Sequence, residues 1–412
     1  MDDGENRLSG ATVSCALARL ELPSGAARPR TARRLGTLTL AMFAMLFPML
    51  AFAQQAQVFY VIASDGQSKD SKLYEVNRAT LSAVRSLDVG TAQSGMLSEN
   101  GQIIVLADGE FLDSTLWRVS APDLAIKNQL SMEALKVRGT ECFNHTFVHP
   151  VTGLAYFSCD FGSRGNGFVI LDTLKQAVVG DFPHAPQLPA GWPRLSLSRP
   201  QFVYAPESQK LYLIGGDVLV LDPQNQPVDY ILARDIASAA GREVGRVVYS
   251  IEKMAVLPDG KLALLVTDRS TPTLAVYDPV GRKLLQHWTE TQKYPAMENY
   301  TDSHTGKPSE RSVQKIAQLH DGPVSSREGS RLFAMSEGDV ILWDTSTIEE
   351  LDRFDAPEPS CGTQGCFSPA PDGRGMWFVG KSGKVYRLDD HAGHLIEEVK
   401  LPFRMINLIR EH

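Results

Sequence analysis

The feature that most constrains the fold is a short apolar segment that ends on Asp, Asn or Ser and recurs along the chain. It occurs seven times, at spacings of 43, 52, 50, 56, 66 and 45 residues, ending on Asn77, Ser120, Asp172, Asp222, Asp278, Asp344 and Asp389. Each copy follows another apolar segment, which itself follows a turn rich in Gly, Pro and Asp. Repeats of roughly 40–50 residues with four short strands each are typical of β-propellers. The sequence therefore predicts an all-β fold, a seven-bladed propeller of four-stranded blades.

The sixth repeat shows the pattern most clearly. Three strands with polar turns between them are predicted there, over Arg331–Met335, Val340–Trp343 and Leu351–Phe354. The first repeat starts with its second strand at Val58, and a strand-like segment without a blade of its own follows the last repeat, at Arg404–Ile409. We expect these two segments to pair, which would close the ring and cover an exposed strand edge. Helix is expected only as a turn or two, within Asp235–Val247 and Ser131–Val137.

Residues 1–53 differ in kind from the repeats. Four arginines between positions 28 and 34 precede an uncharged apolar run, Leu35–Ala51, and small residues then frame a cleavage site after Ala53. This order is typical of a secretory signal peptide. The alternative is a membrane anchor, but the run is shorter than the ~20 residues that a membrane span needs, and it contains Pro48. We expect residues 54–412 to be exported to the periplasm or secreted, with no membrane span once the signal is cleaved.

The net charge argues against a nucleic-acid partner. It is −7 for the whole chain, and removal of residues 1–53, with six Arg and four acidic residues, makes it −9. A nucleic-acid surface would need a basic excess. Four cysteines then remain, which in an exported chain suggests two disulfides, although four cysteines allow three pairings.

The repeat resembles that of known propellers. A Pro-Asp-Gly turn, an apolar strand, a short loop and a strand ending in Asp are similar to the seven-bladed YVTN/WD40-like superfamily, and Trp343-Asp344 is one literal Trp-Asp pair, without the Gly-His signature. The size and cysteine placement also resemble the large (heavy) subunit of the quinone-dependent amine dehydrogenases. That resemblance implies an enzyme whose tryptophan-derived quinone resides on a small partner subunit, and it implies a disulfide within a hairpin of one blade.

Acidic residues recur just after the second strand of each repeat. They are Asp65, Asp108, Asp160, Asp217, Asp268 and Glu337, whereas the seventh repeat has Lys381. Equivalent positions in a propeller would place these carboxylates in a ring around one mouth of the central channel. One interpretation is a site for a cation or an amine, or a docking rim for a basic partner. The other is turn chemistry, because Asp-Gly and Glu-Gly pairs are what tight hairpins use in any case.

Two long connections between repeats lie on the same predicted face. Residues 181–200 contain His184, Trp192 and Arg194, and residues 289–313 contain Tyr300. Loops of this length are often functional, and aromatic residues interleaved with Arg suit a partner or ligand lid. A merely structural connection, stiffened by its prolines, is the alternative.

The cysteine positions predict two local disulfides. If Pro150-Val151 forms a two-residue turn, Cys142 and Cys159 lie opposite each other on adjacent strands, within disulfide range. Cys361 and Cys366 flank a four-residue loop that contains two glycines. A redox-active pair is the alternative, but neither spacing is that of a Cys-x-x-Cys motif.

No catalytic constellation, cofactor motif or metal-binding cluster is recognisable in the sequence. His391 and His394 stand beside Asp389 and Asp390, but this group is more typical of a solvated turn than of a metal site. We therefore expect a scaffold that binds a protein partner or a small ligand. The alternative is the large subunit of an amine dehydrogenase.

Overall fold

The computed structural model describes residues 58–64, 70–98, 101, 103–108, 115–131, 141–160, 166–182, 192, 201–245, 247–268, 271–301, 308–358, 367–389, 391 and 394–409. Within these ranges, only the backbone is described at positions 93, 107–108, 131, 141–146, 160, 166, 181–182, 296–301, 308–314 and 320. Residues 1–53, and with them the expected signal peptide, lie outside the described part of the chain.

Seven four-stranded antiparallel sheets make up the fold, and they confirm the predicted seven-bladed propeller. We letter the strands of each blade A to D, from the innermost to the outermost. Blades 1 to 3 contain β1 (Val58–Ser64), β2 (Lys72–Asn77), β3 (Ala83–Asp88), β4 (Ala92–Leu97), β5 (Ile103–Asp108), β6 (Thr115–Ser120), β7 (Ala125–Ser131), β8 (Glu141–Val148), β9 (Leu154–Asp160), β10 (Asn166–Asp172) and β11 (Ala177–Phe182).

Blades 4 and 5 are separated in the chain by a short helix. They contain β12 (Gln201–Ala205), β13 (Lys210–Gly215), β14 (Asp217–Leu221), β15 (Pro227–Ile231), the helix α1 (Ala233–Ala239), β16 (Ser250–Val256), β17 (Leu262–Thr267), β18 (Thr273–Asp278) and β19 (Lys283–Thr289).

A separate hairpin precedes the last two blades. The hairpin and these blades contain β20 (Lys293–Thr301), β21 (Pro308–Ile316), β22 (Leu319–Ser325), β23 (Arg331–Ser336), β24 (Asp339–Asp344), β25 (Glu350–Asp355), β26 (Phe367–Pro369), β27 (Met376–Val379), β28 (Val385–Leu388), β29 (Leu395–Val399) and β30 (Arg404–Leu408).

The ring closes as the sequence predicted. Strand β30 pairs antiparallel with β1, with Val61 opposite Leu408 and Ser64 opposite Arg404, and it serves as strand A of blade 1. The closing interface between blades 7 and 1 is a packed cluster that includes Phe59 and Trp377, both completely buried. The two ends of the described chain therefore share one blade and one hydrophobic interface.

The apolar core lies between the blades. Seven hydrophobic clusters each combine residues of two neighbouring blades, and together they account for all seven interfaces of the ring. Alternate residues of one strand face opposite neighbours, as Ile62 packs towards blade 2 while Val61 packs towards blade 7. Because both faces of the central strands are buried, these strands are almost uniformly apolar in sequence, without the polar alternation of a half-exposed sheet.

In six of the seven blades, the Asp or Asn at the end of the C strand accepts N–H groups of the turn that follows. Asp172 Oδ1 accepts the N–H groups of Leu174 and Lys175, each at 3.0 Å. Asn77, Asp222, Asp278, Asp344 and Asp389 accept N–H groups of their own turns in the same way. In five of the six turns whose corresponding residue is described, the residue four positions after this one is left-handed, with φ between 48° and 56°, at Leu81, Leu124, Gln176, Arg282 and Ile348. The recurring polar residue is therefore a local hydrogen-bonding device of the C–D hairpin.

A register shift interrupts each outermost strand soon after it begins. In six blades the unpaired residue is an exposed aliphatic one: Val84, Val179, Val228, Leu285, Leu351 and Ile396. Bulges of this kind twist a strand and disrupt its free edge. They blunt the outer edges of the blades, which would otherwise offer templates for strand pairing.

The connections between blades depart most from the sequence prediction. Residues expected to form a long loop at 289–313 instead contribute most of the two-stranded hairpin β20–β21. Helix α1 lies in the expected region but begins at Ala233, two residues earlier than the sequence indicated. Residues 132–137 lie outside the described part of the chain. No described helix is both long enough and apolar enough to cross a membrane.

Candidate binding face

One face of the propeller carries the turns between strands B and C and the crossings from strand D to the next blade. We call it the crossing face. The longer described crossings on it are residues 232–249, which contain α1, and residues 290–318, which contain the β20–β21 hairpin. Among the acidic residues singled out in the sequence, Asp268 and Glu337 lie in B–C turns of this face, and Asp217 directly follows one.

Asp217 holds the start of the crossing from blade 4 to blade 5. It is the first residue of β14, directly after the one-residue turn at Gly216, and its Oδ1 accepts the N–H of Ala233 at 2.7 Å. This N–H is one of those that have no partner inside helix α1. Burial raises the pKa of Asp217, while the bond from Ala233 works in the opposite direction.

Asp268 holds the far side of the same crossing. It directly follows β17, and its carboxylate pairs with Arg242 at 3.2 Å, with both side chains less than a quarter exposed. Its other oxygen accepts the N–H of Thr271 at 2.8 Å, within the B–C turn itself. The carboxylate therefore joins the turn of blade 5 to the segment that leads into that blade.

Glu337 occupies the equivalent position in blade 6. It is left-handed, with φ of 53°, in the two-residue Glu337-Gly338 turn between β23 and β24. Its Oε1 accepts the N–H of Gln318 at 3.2 Å, and its carboxylate hydrogen-bonds the hydroxyl of Tyr294 at the base of the hairpin. Burial and this bond raise the pKa of Tyr294. Glu337 thus contacts both ends of the crossing from blade 5 to blade 6.

In blade 7, which has Lys381 in place of an acid, a carboxylate also joins the B–C turn to a crossing. Here the carboxylate belongs to the crossing, and Glu358 accepts the N–H of Ser382 at 2.8 Å, the hydroxyl of Ser382 at 2.5 Å and the hydroxyl of Tyr386 at 3.1 Å. A Cβ on Gly380 would overlap with the Glu358 carboxylate, so the glycine leaves room for it. Sequence reasoning missed Glu358, and the break in the acidic pattern at Lys381 was the only signal of it.

These contacts give the described acidic side chains a structural role. Asp217, Asp268 and Glu337 each bond a crossing, so turn chemistry and attachment of the crossings together account for them. Asp108 and Asp160 are the last residues of β5 and β9, one position earlier than the sequence indicated; their side chains lie outside the described part, as does all of Asp65.

Trp192 is the described residue of the crossing from blade 3 to blade 4. It is half-buried, and its ring lies 5.0 Å from that of Tyr230 in β15. On Tyr230, the guanidinium of Arg282 lies 5.5 Å from the ring centroid, and Arg282 also bonds Asp229 at 2.5 Å. Tyr230 and Arg282 border a groove of about 480 Å³ between blades 4 and 5, partly covered by α1. The sequence did not indicate this groove, because its two walls are about 50 residues apart in the chain.

The remaining predicted loop residues are only partly visible. Tyr300 lies in β20, opposite Ser309, with only its backbone described. His184 and Arg194 lie outside the described residues. The structure therefore places Trp192 against the outermost strand of blade 4, and its two predicted companions lie outside the described residues.

The cysteine hairpin has the predicted pairing but a different turn. Cys142 lies opposite Cys159, as expected. The A–B turn is four residues long, because His149 donates its N–H to the carbonyl of Leu154 at 2.8 Å. The prediction of a two-residue turn at Pro150-Val151 is therefore wrong. A register shift between Cys142 and Thr146 places two extra residues in β8 and compensates for the longer turn. Cys361 and Cys366 lie outside the described part of the chain.

The two histidines at the last C–D turn have different partners. His394 Nδ1 lies 3.1 Å from Asp352 Oδ2 of blade 6, whereas the N–H of His391 bonds Asp389 at 2.7 Å. Among the described residues, no three His, Cys, Asp or Glu side chains converge closely enough to hold a metal ion.

Comparisons with known proteins support the fold alone. No family model matches the sequence, and no curated protein matches it. Among solved structures, KlHsv2 with loop 6CD replaced by a Gly-Ser linker is similar at a TM-score of 0.50 and 11% identity, over 84% of this chain and 100% of that one.

Two further structures are similar at a TM-score of 0.46. The Cps50 (Swd1) β-propeller domain from Myceliophteria thermophila is 11% identical, over 81% of this chain and 95% of that one. The dihydro-heme d1 dehydrogenase NirN in complex with DHE is 12% identical, over 85% and 74%. At 11% identity, the likeness to KlHsv2 is one of propeller architecture alone.

Proposed function

We propose that this chain is an exported propeller scaffold that binds a protein partner through its crossing face. One observation carries the proposal: the long crossings of this face are attached to the blades by carboxylates, which hold them in one position. Asp217 attaches one crossing at its start and Asp268 attaches it at Arg242, and Glu337 attaches both ends of another. A loop held in this way loses less conformational entropy when it binds, which favours its use as a recognition surface.

Export is supported by the amino-terminal sequence and by the cysteines. Cys159 is completely buried, and Cys142 lies directly opposite it across β8 and β9. We propose the Cys142–Cys159 disulfide on these grounds, and Cys361–Cys366 as a second one from sequence spacing. Structural disulfides persist in oxidising compartments, which agrees with a periplasmic or secreted protein.

The proposal is tested by capture of a partner from the native source. Wild-type protein is immobilised beside Trp192→Ala, Arg194→Ala and Tyr300→Ala variants. Leu174→Ser serves as the matched control, because Leu174 is 63% exposed on the C–D turn of blade 3, on the face opposite the crossings. We expect the control to retain the partner and the three variants to lose it. Equal capture by all five proteins would refute the proposed face.

The large subunit of a quinone-dependent amine dehydrogenase is the second candidate. The observation that favours it is the pairing of Cys142 with Cys159 within one hairpin, where the resemblance implies a disulfide. Purification from the native source decides between the two. A small chain with quinone absorbance that elutes with the propeller supports the enzyme, and a monomer without such a chain rules it out.

A further inference from the structure

The β20–β21 hairpin is a sheet of its own on the crossing face. Nine residue pairs join its strands, from Lys293–Ile316 to Thr301–Pro308, and it is a two-stranded sheet among the described strands. Nine residues of strand extend about 30 Å. A two-stranded hairpin is only marginally stable in water, and a third strand adds much of the stability of a sheet.

The base of the hairpin is held firmly by the propeller. Glu290 is almost completely buried, accepts the N–H groups of Thr291 and Gln292 at 2.9 and 2.8 Å, and pairs with Arg353 of blade 6 at 3.1 Å. Glu337 adds its bonds to Tyr294 and to the N–H of Gln318. Both strands therefore leave the propeller from a fixed position.

One hydrogen bond defines which backbone groups face the free edges. Ala317 donates its N–H to the carbonyl of Gln292 at 2.9 Å, so residues 292 and 317 form a hydrogen-bonded pair. In an antiparallel ladder such pairs alternate with pairs whose N–H and C=O groups point outward. The outward pairs are therefore those of odd residues in β20 with even residues in β21.

The prolines obey this alternation and distinguish the two edges. Pro295 and Pro308 both occupy outward positions, where a missing N–H costs the hairpin no internal bond. Pro295 lies inside β20 and interrupts its outward row of donors. Pro308 only begins β21, so the outward N–H groups of Glu310, Ser312 and Gln314 form an uninterrupted row.

The charges beside this row are basic on one face. Arg311 and Lys315 are both odd-numbered residues of β21, so they lie on the same face of the hairpin, and Lys315 is exposed. Arg311 stands opposite Glu298, whereas Lys315 stands opposite the uncharged Tyr294. A strand placed beside β21 would therefore be favoured by acidic side chains on this face.

We propose that β21 accepts an extended segment of the partner protein as a third strand, with acidic residues at alternate positions facing Arg311 and Lys315. The inference rests on the proposed function and specifies its partner. Main-chain hydrogen bonds to Glu310, Ser312 and Gln314 supply affinity, and the acidic side chains supply selectivity. The net charge of this chain, −7, disfavours a second copy as the partner.

The test uses a defined probe. A nine-residue peptide that alternates Glu with Val or Thr is titrated into the full protein, beside the same peptide with Lys in place of each Glu. Amide hydrogen exchange is followed by NMR. In the free protein, we expect the inward N–H groups of residues 311, 313 and 315 to be protected and those of 310, 312 and 314 to exchange. The Glu peptide should bind at least ten-fold more tightly than the Lys peptide and should protect the second set.

A pair of variants separates the backbone from the side chain. Ser312→Pro removes one outward N–H and leaves the internal ladder intact, and Ser312→Ala keeps that N–H. We expect at least a ten-fold loss of peptide affinity for Ser312→Pro and little change for Ser312→Ala, with protection of residues 311 and 313 unchanged in both. The exchange pattern of the wild-type protein remains a test even if the proline variant disturbs the hairpin.

Three results would overturn the inference: protection of residues 310, 312 and 314 in the free protein, peptide binding that leaves them unprotected, or equal affinity for the two peptides. Failure here is distinguishable from failure of the proposed function. If native-partner capture survives in Ser312→Pro but is lost in Trp192→Ala, the crossing face binds a partner without strand addition. If neither change affects capture, the proposed face itself is wrong.

Discussion

His149 lies at the turn between strands A and B of blade 3, where its neutral ring is part of the structure. Its side chain is 5% exposed, and its Nδ1 accepts the N–H groups of Val151 and Thr152 at 3.2 and 3.4 Å. The ring packs 4.5 Å from that of Tyr204 and 6.4 Å from that of Phe147. Burial lowers the pKa of His149 to about 4, from an ordinary value of 6.5. Protonation would also place a proton on the atom that accepts both bonds.

The sign and size of the effect follow from the difference in pKa. Above pH 6.5 the ring is neutral in both states and has no effect on the pH dependence. Between pH 6.5 and 4, His149 binds a proton in the unfolded chain but stays neutral in the folded protein, so the free energy of unfolding falls as the pH falls. A difference of 2.5 pKa units corresponds to about 3 kcal/mol in full, of which about 2.5 kcal/mol is lost by pH 4.5.

We expect this loss to appear in urea unfolding at pH 7.5 and 4.5. The matched variant is His149→Asn, whose side-chain oxygen can accept the same two N–H bonds but does not titrate. Other ionisable groups change equally in both proteins, so the difference between their pH dependences isolates His149. The wild type should lose on the order of 2 kcal/mol more than the variant. A difference below about 0.5 kcal/mol, or a folded-state pKa above 6 by NMR, would refute the reasoning.

Three further effects follow from single contacts, each measurable by urea unfolding. Asp217→Ala should cost about 1–2 kcal/mol, because it leaves the N–H at the start of α1 without its acceptor, whereas Asp217→Asn should cost less. Gln176→Gly should stabilise the fold by about 0.5 kcal/mol, since glycine adopts a φ of 54° without strain. Ile348→Gly, at an equivalent turn, should instead destabilise it by at least about 2 kcal/mol, because the Ile348 side chain is buried. Cys142→Ser should lower the free energy of unfolding by about 2–4 kcal/mol and remove the sensitivity to reductant, if Cys142 and Cys159 are bonded; unchanged sensitivity would contradict that pairing.

In the cysteine hairpin, the predicted pairing of Cys142 with Cys159 is correct although the turn from which it was derived is wrong. Counting residues across a two-residue turn placed Cys142 opposite Cys159, and the structure has them opposite each other. The real turn has four residues, and two extra residues in β8 restore the register. The bulge cannot be read from local sequence, because it depends on how β8 packs against blade 2 as well as on how it pairs with β9.

The number of blades, the closure of the ring and the C–D turns could all be predicted from the sequence. These features depend on residues that are close in the chain, such as Asp172 and the two N–H groups that its side chain accepts, or on a pattern repeated often enough to identify the architecture. Three features became known only from the folded structure: the bonds that the acidic residues at the B–C turns form with the crossings, the hairpin at 293–316, and the replacement of the missing acid of blade 7 by Glu358. Each of those outcomes joins groups that folding brings together from different turns, crossings or blades, and a carboxylate in a turn does not reveal which of several distant donors will reach it.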